Sequence, residues 1–109
     1  GLRPTTVDAR AEHARHLYVV QVSDEATRAT AFAALRARGV GVNVHYVPVH
    51  LHPYYRRRFG TGPGSCPVAE RAYERVLSLP LHPQMTDADA EFVADAVSDV
   101  VRSAARRAA

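Results

Sequence analysis

The chain has 109 residues, which is enough for one small domain. Its 14 basic side chains are all arginine, and with 11 acidic residues they give a formal net charge of +3. With 47% hydrophobic and 23% charged residues, the composition excludes a disordered tail and indicates an ordinary folded domain. The absence of lysine excludes Walker-type phosphate binding and Schiff-base catalysis by this chain, since both chemistries need a lysine amine.

Three further features narrow the range of functions. No apolar stretch approaches the roughly 18 residues needed to span a bilayer, so we expect no membrane partner. The arginines are spread along the chain rather than gathered in a basic stripe, which argues against nucleic-acid binding. The single cysteine, Cys66, cannot form an internal disulfide, so nothing implies an oxidising compartment and we expect a cytoplasmic protein.

The first half of the chain begins with a polar segment. Residues 1–15 have no apolar periodicity and are expected to form a lead-in or linker, followed by a domain over residues 16–109. A β-branched and aromatic run at residues 16–22 predicts a strand. Because both faces of this run are mostly apolar, we expect the strand to be central in a sheet.

A helix and a second strand are predicted next. The helix covers residues 26–38, with N-cap candidates at 23–25 and Gly39 just beyond its end. Residues 40–46 alternate between apolar and polar side chains, which predicts a strand with one core face and one open face. The core face would carry Val40, Val42, Val44 and Tyr46, and the open face Gly41, Asn43 and His45.

The second half of the chain predicts three helices and one strand. A short helical or turn segment over residues 53–59 is followed by a helix over 68–76 and an apolar strand over 77–81. Thr86 is the expected N-cap of a last helix, whose apolar stripe repeats every four residues from Phe92. The predicted order gives three strands with helices on one side. This is an α/β fold with two layers, of the α+β type.

The residues with the richest chemistry lie between His45 and Arg58. This segment contains several histidines, tyrosines and arginines, and it leaves the predicted second strand as a proline-rich loop. Arginine and histidine suit an anionic ligand, and tyrosine suits a sugar or a base. The structural alternative places Tyr46 in the core, uses Tyr54 and Tyr55 to cover a sheet edge, and makes the arginines a solvated helix face.

Other chemistries find less support. His50 and His52, with His45 as a third ligand, could bind zinc, but no carboxylate lies nearby in sequence, so no metal site is predicted. Cys66 lies in a loop without a basic partner, and no serine has a nucleophile-elbow motif. We find no complete set of catalytic residues in this chain.

Two long motifs occur in the chain, GVGVNVHYVPVHLHPYY at residues 39–55 and PVAERAYERVLSLPLHPQMTDADAEFV at residues 67–93. In this order they resemble the C-terminal portion of the DegT/DnrJ/EryC1/StrS aminotransferases. These are PLP-dependent sugar aminotransferases of fold type I. The resemblance covers roughly residues 16–100 and is greatest to the branch that acts on UDP-4-keto-6-deoxy-N-acetylhexosamines to give the 4-amino-4,6-dideoxy sugars.

The resemblance implies a small C-terminal domain of about three mainly antiparallel strands packed with helices. In the family it lies beside an N-terminal PLP-binding domain, which is absent here and which supplies the Schiff-base lysine. Pyridoxal 5'-phosphate is therefore the cofactor implied for the intact enzyme, and none is expected in this chain alone. The implied partners are the missing domain, a nucleotide sugar and a second copy in a homodimer.

The resemblance also implies substrate contacts for His45 and Tyr46, the pair that faces the nucleotide-sugar site, and for His50, which matches a second histidine. Alternation agrees for His45 but puts Tyr46 on the core face, so a ligand role for Tyr46 depends on the resemblance. Since the chain has no lysine, we expect it to be unable to transaminate alone. The alternative is a free-standing, non-catalytic remnant that binds a partner protein or a sugar nucleotide.

Overall fold

Three antiparallel strands form the sheet of this chain, as the sequence predicts. The computed structural model describes residues 2–108, with the side chains of all of them except 105, 107 and 108. The elements in chain order are β1 (Arg3–Pro4), β2 (Tyr18–Gln21), α1 (Glu25–Ala37), a 3₁₀ turn (Val49–Leu51), α2 (Pro53–Phe59), α3 (Pro67–Tyr73), β3 (Val76–Leu79) and α4 (Asp87–Ala108).

The predicted position of β2 at the centre of the sheet is confirmed. It pairs with β1 on one side and with β3 on the other. In the β2–β3 register Val20 lies opposite Leu77, and both side chains are almost completely buried. Since side chains alternate along a strand, this register points one apolar row of each strand into the core.

The third strand is not the one that alternation predicts. Residues 40–46 form only a single bridge to β3, between Asn43 and Ser78. The backbone N–H of Val42 donates to the carbonyl of Val40, and that of Val44 donates to Oδ1 of Asn43, both at short distance. These local bonds belong to turns, and Asn43 alone in this segment exchanges backbone hydrogen bonds with β3, so residues 40–46 form no ladder.

The strand that completes the sheet lies instead in the predicted lead-in. Arg3 and Pro4 pair with Gln21 and Val20, and the N–H of Thr5 donates to the carbonyl of Val19 at 3.2 Å. Two residues are too few to show a periodic pattern in the sequence. Proline, which has no N–H to donate, is tolerated in this strand because β1 lies at the edge.

Both predicted ends of α1 are confirmed. The Asp24 carboxylate accepts the backbone N–H of Thr27 at 2.8 Å, which satisfies one of the free donors of the first turn. At the other end Gly39 has φ +80°, and the N–H of Val40 donates to the carbonyl of Leu35. This is a Schellman ending, and it directs Val40 back onto Leu35 in the core.

The helices supply the second layer of the fold. α1 packs against α4, and their buried side chains form one core with those of the sheet and the 40–42 segment. Several boundaries differ from the predicted ones, since α3 ends at Tyr73, β3 covers Val76–Leu79 and β2 is shorter than the predicted strand over residues 16–22. No helix within residues 2–108 combines the length and the apolar character needed to cross a bilayer. The core consists of Val20, Val22, Ala31, Leu35, Val40, Val42, Leu77, Ala96, Val97, Val100 and Val101.

Candidate functional site

His45 and Tyr46 leave the core-packed segment side by side. Val42 is 2% exposed and Val44 packs partly against the core, whereas the Tyr46 side chain is 73% exposed. The sequence-based prediction that Tyr46 faces the core is therefore wrong, because the alternation ends at Val44. The two rings meet edge to face with their centroids 4.7 Å apart, and the peptide bond between them is cis.

One nitrogen of His45 is buried without a partner. Nδ1 is inaccessible to solvent and forms no hydrogen bond to any atom in the described part of the chain. A buried polar atom left in this state costs roughly 1–3 kcal/mol, and most such atoms in proteins have a partner. His45 is therefore a half-buried imidazole whose hydrogen-bonding capacity this chain does not use, next to an exposed phenol.

His50 has very different surroundings. It lies in the 3₁₀ turn, is 9% exposed, and its Nε2 is 2.7 Å from Oε1 of Glu70 in α3. Its backbone carbonyl accepts a hydrogen bond from the hydroxyl of Thr61 at 2.9 Å. These contacts join the 3₁₀ turn to α3 and to the loop after α2.

Glu70 is the centre of this group of contacts. Its two carboxylate oxygens accept the backbone N–H of Gly64 at 2.9 Å, and Oε1 also accepts the N–H of Cys66. The hydrogen bond from Gly64, followed by the one from His50, lowers the pKa of the Glu70 carboxyl below its usual value. We call Glu70, His50, Thr61, Gly64 and Cys66 the Glu70 cluster.

Sequence patterns did not predict the Glu70 cluster. Glu70 is twenty positions from His50 and lies in a different helix, so no local motif connects them. One signal was available, because Glu70 is the first acidic residue after Glu25 and follows a long stretch without carboxylates. The structure thus places His45 and Tyr46 together, while His50 has a partner within the chain; its predicted substrate contact stays a prediction.

The histidines do not converge on a metal. Nε2 of His52 lies 3.2 Å from the carbonyl oxygen of Val47, and His50 is paired with Glu70. Among residues 2–108 no group of three or more His, Cys, Asp and Glu side chains is arranged to hold a metal ion. Cys66 is exposed at the N-cap of α3.

α2 presents aromatic and basic side chains to solvent. Tyr54 and Tyr55 are 59% and 40% exposed and contact each other edge to face, and Tyr55 stacks on Phe59. The helix contains no acidic residue, and three arginines occupy its last turn at positions 56–58. This helix begins directly after the 3₁₀ turn, so it is continuous with the segment that carries His45 and Tyr46.

Comparison with known families gives one matching model. Residues 1–98 match the DegT/DnrJ/EryC1/StrS aminotransferase family. The match includes the His45–Tyr46 pair, the Glu70 cluster and most of α4.

Individual relatives show how much of a longer protein this chain resembles. The spore coat polysaccharide biosynthesis protein SpsC of Bacillus subtilis is 43% identical over 108 residues, which are 95% of this chain and 28% of the relative. Among solved structures, the aminotransferase TlmJ of Streptoalloteichus hindustanus has a TM-score of 0.82 at 34% identity, over 94% of this chain and 27% of its own. The putative sugar aminotransferase Spr1654 of Streptococcus pneumoniae, in its apo form, has a TM-score of 0.90 at 24% identity over 98% of this chain, and shares the fold. The chain spans about a quarter of the length of these proteins.

Proposed function

The chain belongs to the DegT/DnrJ/EryC1/StrS aminotransferase family, and we propose that it is the C-terminal domain of a PLP-dependent nucleotide-sugar aminotransferase. In this proposal the domain contacts the sugar nucleotide and closes the substrate pocket, while another part of the enzyme holds the cofactor. The length comparison supports this division, because the chain corresponds to about a quarter of its relatives.

The observation that carries the proposal is the state of His45 and Tyr46. The half-buried imidazole of His45 lies edge to face against the exposed phenol of Tyr46, so one place on the surface presents two side chains that can form hydrogen bonds. Sugar hydroxyls both donate and accept hydrogen bonds, and such groups orient them. His45 would fix one hydroxyl or phosphoryl oxygen and Tyr46 a second polar group, so the hexose is held in a single orientation.

The residues of this chain do not fit the cofactor itself. Pyridoxal phosphate is held through a lysine amine, and all 14 basic side chains here are arginine. No step of the reaction is therefore assigned to this chain. Its residues bind and orient the substrate, and the positioning of a substrate is worth a large part of an enzyme's rate.

Finer assignments follow from the resemblance of the motifs. We propose a UDP-4-keto-6-deoxy-N-acetylhexosamine as substrate, a homodimer as the active assembly, and the cytoplasm as the location. His50 is proposed as a further substrate contact, made on the side of the ring away from Glu70. The relatives named above support the enzyme class, whereas the substrate, the assembly and the location are inferred from the motifs.

The test is the His45→Ala substitution in the intact enzyme that contains this domain. Because Nδ1 has no partner in the described chain, the substitution removes no hydrogen bond at that atom from the fold. We expect kcat/KM for the sugar nucleotide to fall by roughly ten- to a hundredfold, the loss of one good hydrogen bond to a charged or polar ligand group. The absorbance spectrum of the bound cofactor should not change.

The matched control is His16→Ala, which removes an exposed histidine just before β2. We expect its kcat/KM to equal that of the unmodified enzyme. If His45→Ala retains full kcat/KM as well, His45 has only a packing role and the proposed substrate contact is wrong.

A further inference from the structure

We propose that α2 and the turn after it form an anion site in which Arg56 and Arg57 bind the diphosphate of a nucleotide-linked sugar. The inference rests on the proposed function, and it names the part of the substrate that this surface would hold. The site lies outside the His45–Tyr46 pair and outside the Glu70 cluster.

The first support is the distribution of charge. Between Glu25 and Glu70 the chain contains no aspartate or glutamate, although it contains six arginines in that interval. Among the described residues, no carboxylate forms an ion pair with Arg56, Arg57 or Arg58. Guanidinium groups that lack an internal counter-ion attract an external anion.

The second support is the shape of the surface. Arg56 and Arg57 line one groove of about 380 Å³ together with Pro53, Gly60 and Thr61. Gly60 has φ +67°, and a Cβ at this residue would meet no atom within 4 Å, so no side chain covers this side of the groove. Two arginines beside one concavity can each form a paired hydrogen bond to a phosphoryl group, which matches a diphosphate better than a single carboxylate.

The C-terminal end of α2 opposes an anion, but only weakly. A helix end carries about half a negative charge, and its effect is largely confined to the last turn. One of its carbonyls, that of Arg56, accepts the N–H of Gly60 and is therefore already paired. Two full positive charges exceed this partial charge, so the net field in the groove favours an anion.

The third support is the connection of the groove to the candidate sugar site. The hydroxyl of Thr61 donates to the carbonyl of His50, and α2 packs against the 3₁₀ turn that follows the His45–Tyr46 segment. The groove and the sugar contacts therefore belong to one continuous piece of structure.

The experiment is a titration of the full chain with inorganic pyrophosphate, in which binding is measured by calorimetry and by the shifts of the amide resonances of Gly60 and Thr61. The variant is Arg56→Gln combined with Arg57→Gln. The matched control is Arg36→Gln combined with Arg71→Gln, which removes the same charge from two other exposed helical positions. We expect the variant to weaken pyrophosphate binding at least tenfold and the control to weaken it by less than about twofold.

Three outcomes would overturn the inference. They are no pyrophosphate binding by the unmodified chain, equal weakening in both double variants, and displacement of pyrophosphate by a short DNA duplex at lower concentration than by UDP. The second outcome would indicate diffuse charge, and the third a nucleic-acid surface.

A parallel titration with a UDP-N-acetylhexosamine separates this inference from the proposed function. If the sugar nucleotide shifts the His45 and Tyr46 resonances equally in the chain and in the Arg56/Arg57 variant, the proposed function stands and the diphosphate site is wrong. If pyrophosphate binds in the groove but the sugar nucleotide does not displace it, the assignment of the groove to this substrate is also wrong. If the sugar nucleotide displaces pyrophosphate from the unmodified chain and binds the Arg56/Arg57 variant more weakly, both the proposed function and the diphosphate site are supported.

Discussion

Two histidines five positions apart, His45 and His50, differ in how their ring nitrogens are paired. His50 is buried and its Nε2 is paired with the Glu70 carboxylate, so this nitrogen is used by the fold. His45 has a buried nitrogen that nothing in the described chain satisfies. The pairing of His50 stabilises the turn, while the unpaired Nδ1 of His45 is a cost to the fold.

The Glu70 cluster makes a prediction for Glu70→Gln. Glutamine removes the negative charge that accepts the amides of Gly64 and Cys66, so we expect lower stability at pH 7 and faster hydrogen exchange of these two amides. Urea unfolding and amide exchange measured by NMR test this. Glu91→Gln, on the exposed face of α4, is the control and should change neither.

The same carboxylate gives the pH dependence a definite sign. Because folding lowers the pKa of Glu70 below the ordinary glutamate value of 4.5, its contribution to stability is present above that pH and is lost as the pH falls through the lowered value. Glu70→Gln should therefore reduce the loss of stability that occurs as the pH falls below 4.5. An unchanged acid limb in the variant would show that other carboxylates, such as Asp24, dominate it.

At the scale of the elements, the end of α1 determines where the candidate site begins. The Schellman ending at Gly39 turns the chain so that Val40 and Val42 enter the core, and the segment then continues to His45. The site is thus connected to the core through residues 40–44, which follow the turn at the end of α1. A change in this turn would move His45 as well as reduce stability.

Gly39→Ala tests this turn. At φ +80° a side chain is strained, although a Cβ would meet no atom within 4 Å, so the expected cost is conformational and about 1 kcal/mol of unfolding free energy. Gly41→Ala is the matched control, since its Cβ also meets nothing within 4 Å and its φ lies outside the left-handed region. We expect the control to be neutral or slightly stabilising. Urea unfolding of the two variants measures the difference, and equal stabilities would contradict the argument.

Local sequence patterns predicted the helices but not the backbone pairing of residues 40–46. α1, α2 and α4 were predictable because their capping residues and apolar stripes are local signals. Residues 40–46 show the alternation of a strand, but that alternation only reports which side chains are buried, and Val40 and Val42 are buried without a ladder. Which backbone groups pair depends on tertiary contacts that a pattern does not contain.

The candidate site was predictable to a different extent. Periodicity placed Tyr46 in the core, which its 73% exposure contradicts, while the substrate contact that the motif resemblance implies stays a prediction. Glu70 was missed, because its partners in the 3₁₀ turn and the α2–α3 loop are brought together by the fold. Local patterns therefore located the segment, while its internal contacts required the structure.

At the scale of the whole molecule, an apolar groove remains open to solvent. It is formed where β2 and β3 meet the start of α4, and Tyr18 and Leu81 in it are each more than 40% exposed. Buried apolar area is a main source of stability, so an exposed groove is a cost for the chain alone. The domain thus combines a complete small core with surfaces that its own residues do not cover.

The absence of lysine is a property of the whole chain, and it predicts that the chain cannot transaminate alone. When the purified chain is mixed with pyridoxal phosphate and glutamate, we expect no amino transfer to a keto sugar nucleotide, because no side-chain amine is available to hold the cofactor. Absorbance spectra and product analysis by mass spectrometry measure this, with an unrelated aminotransferase as the positive control. The α-amino group is the remaining primary amine, so any spectral change should disappear when the N-terminus is acetylated. Turnover by the acetylated chain would overturn the division between substrate contacts in this domain and chemistry elsewhere.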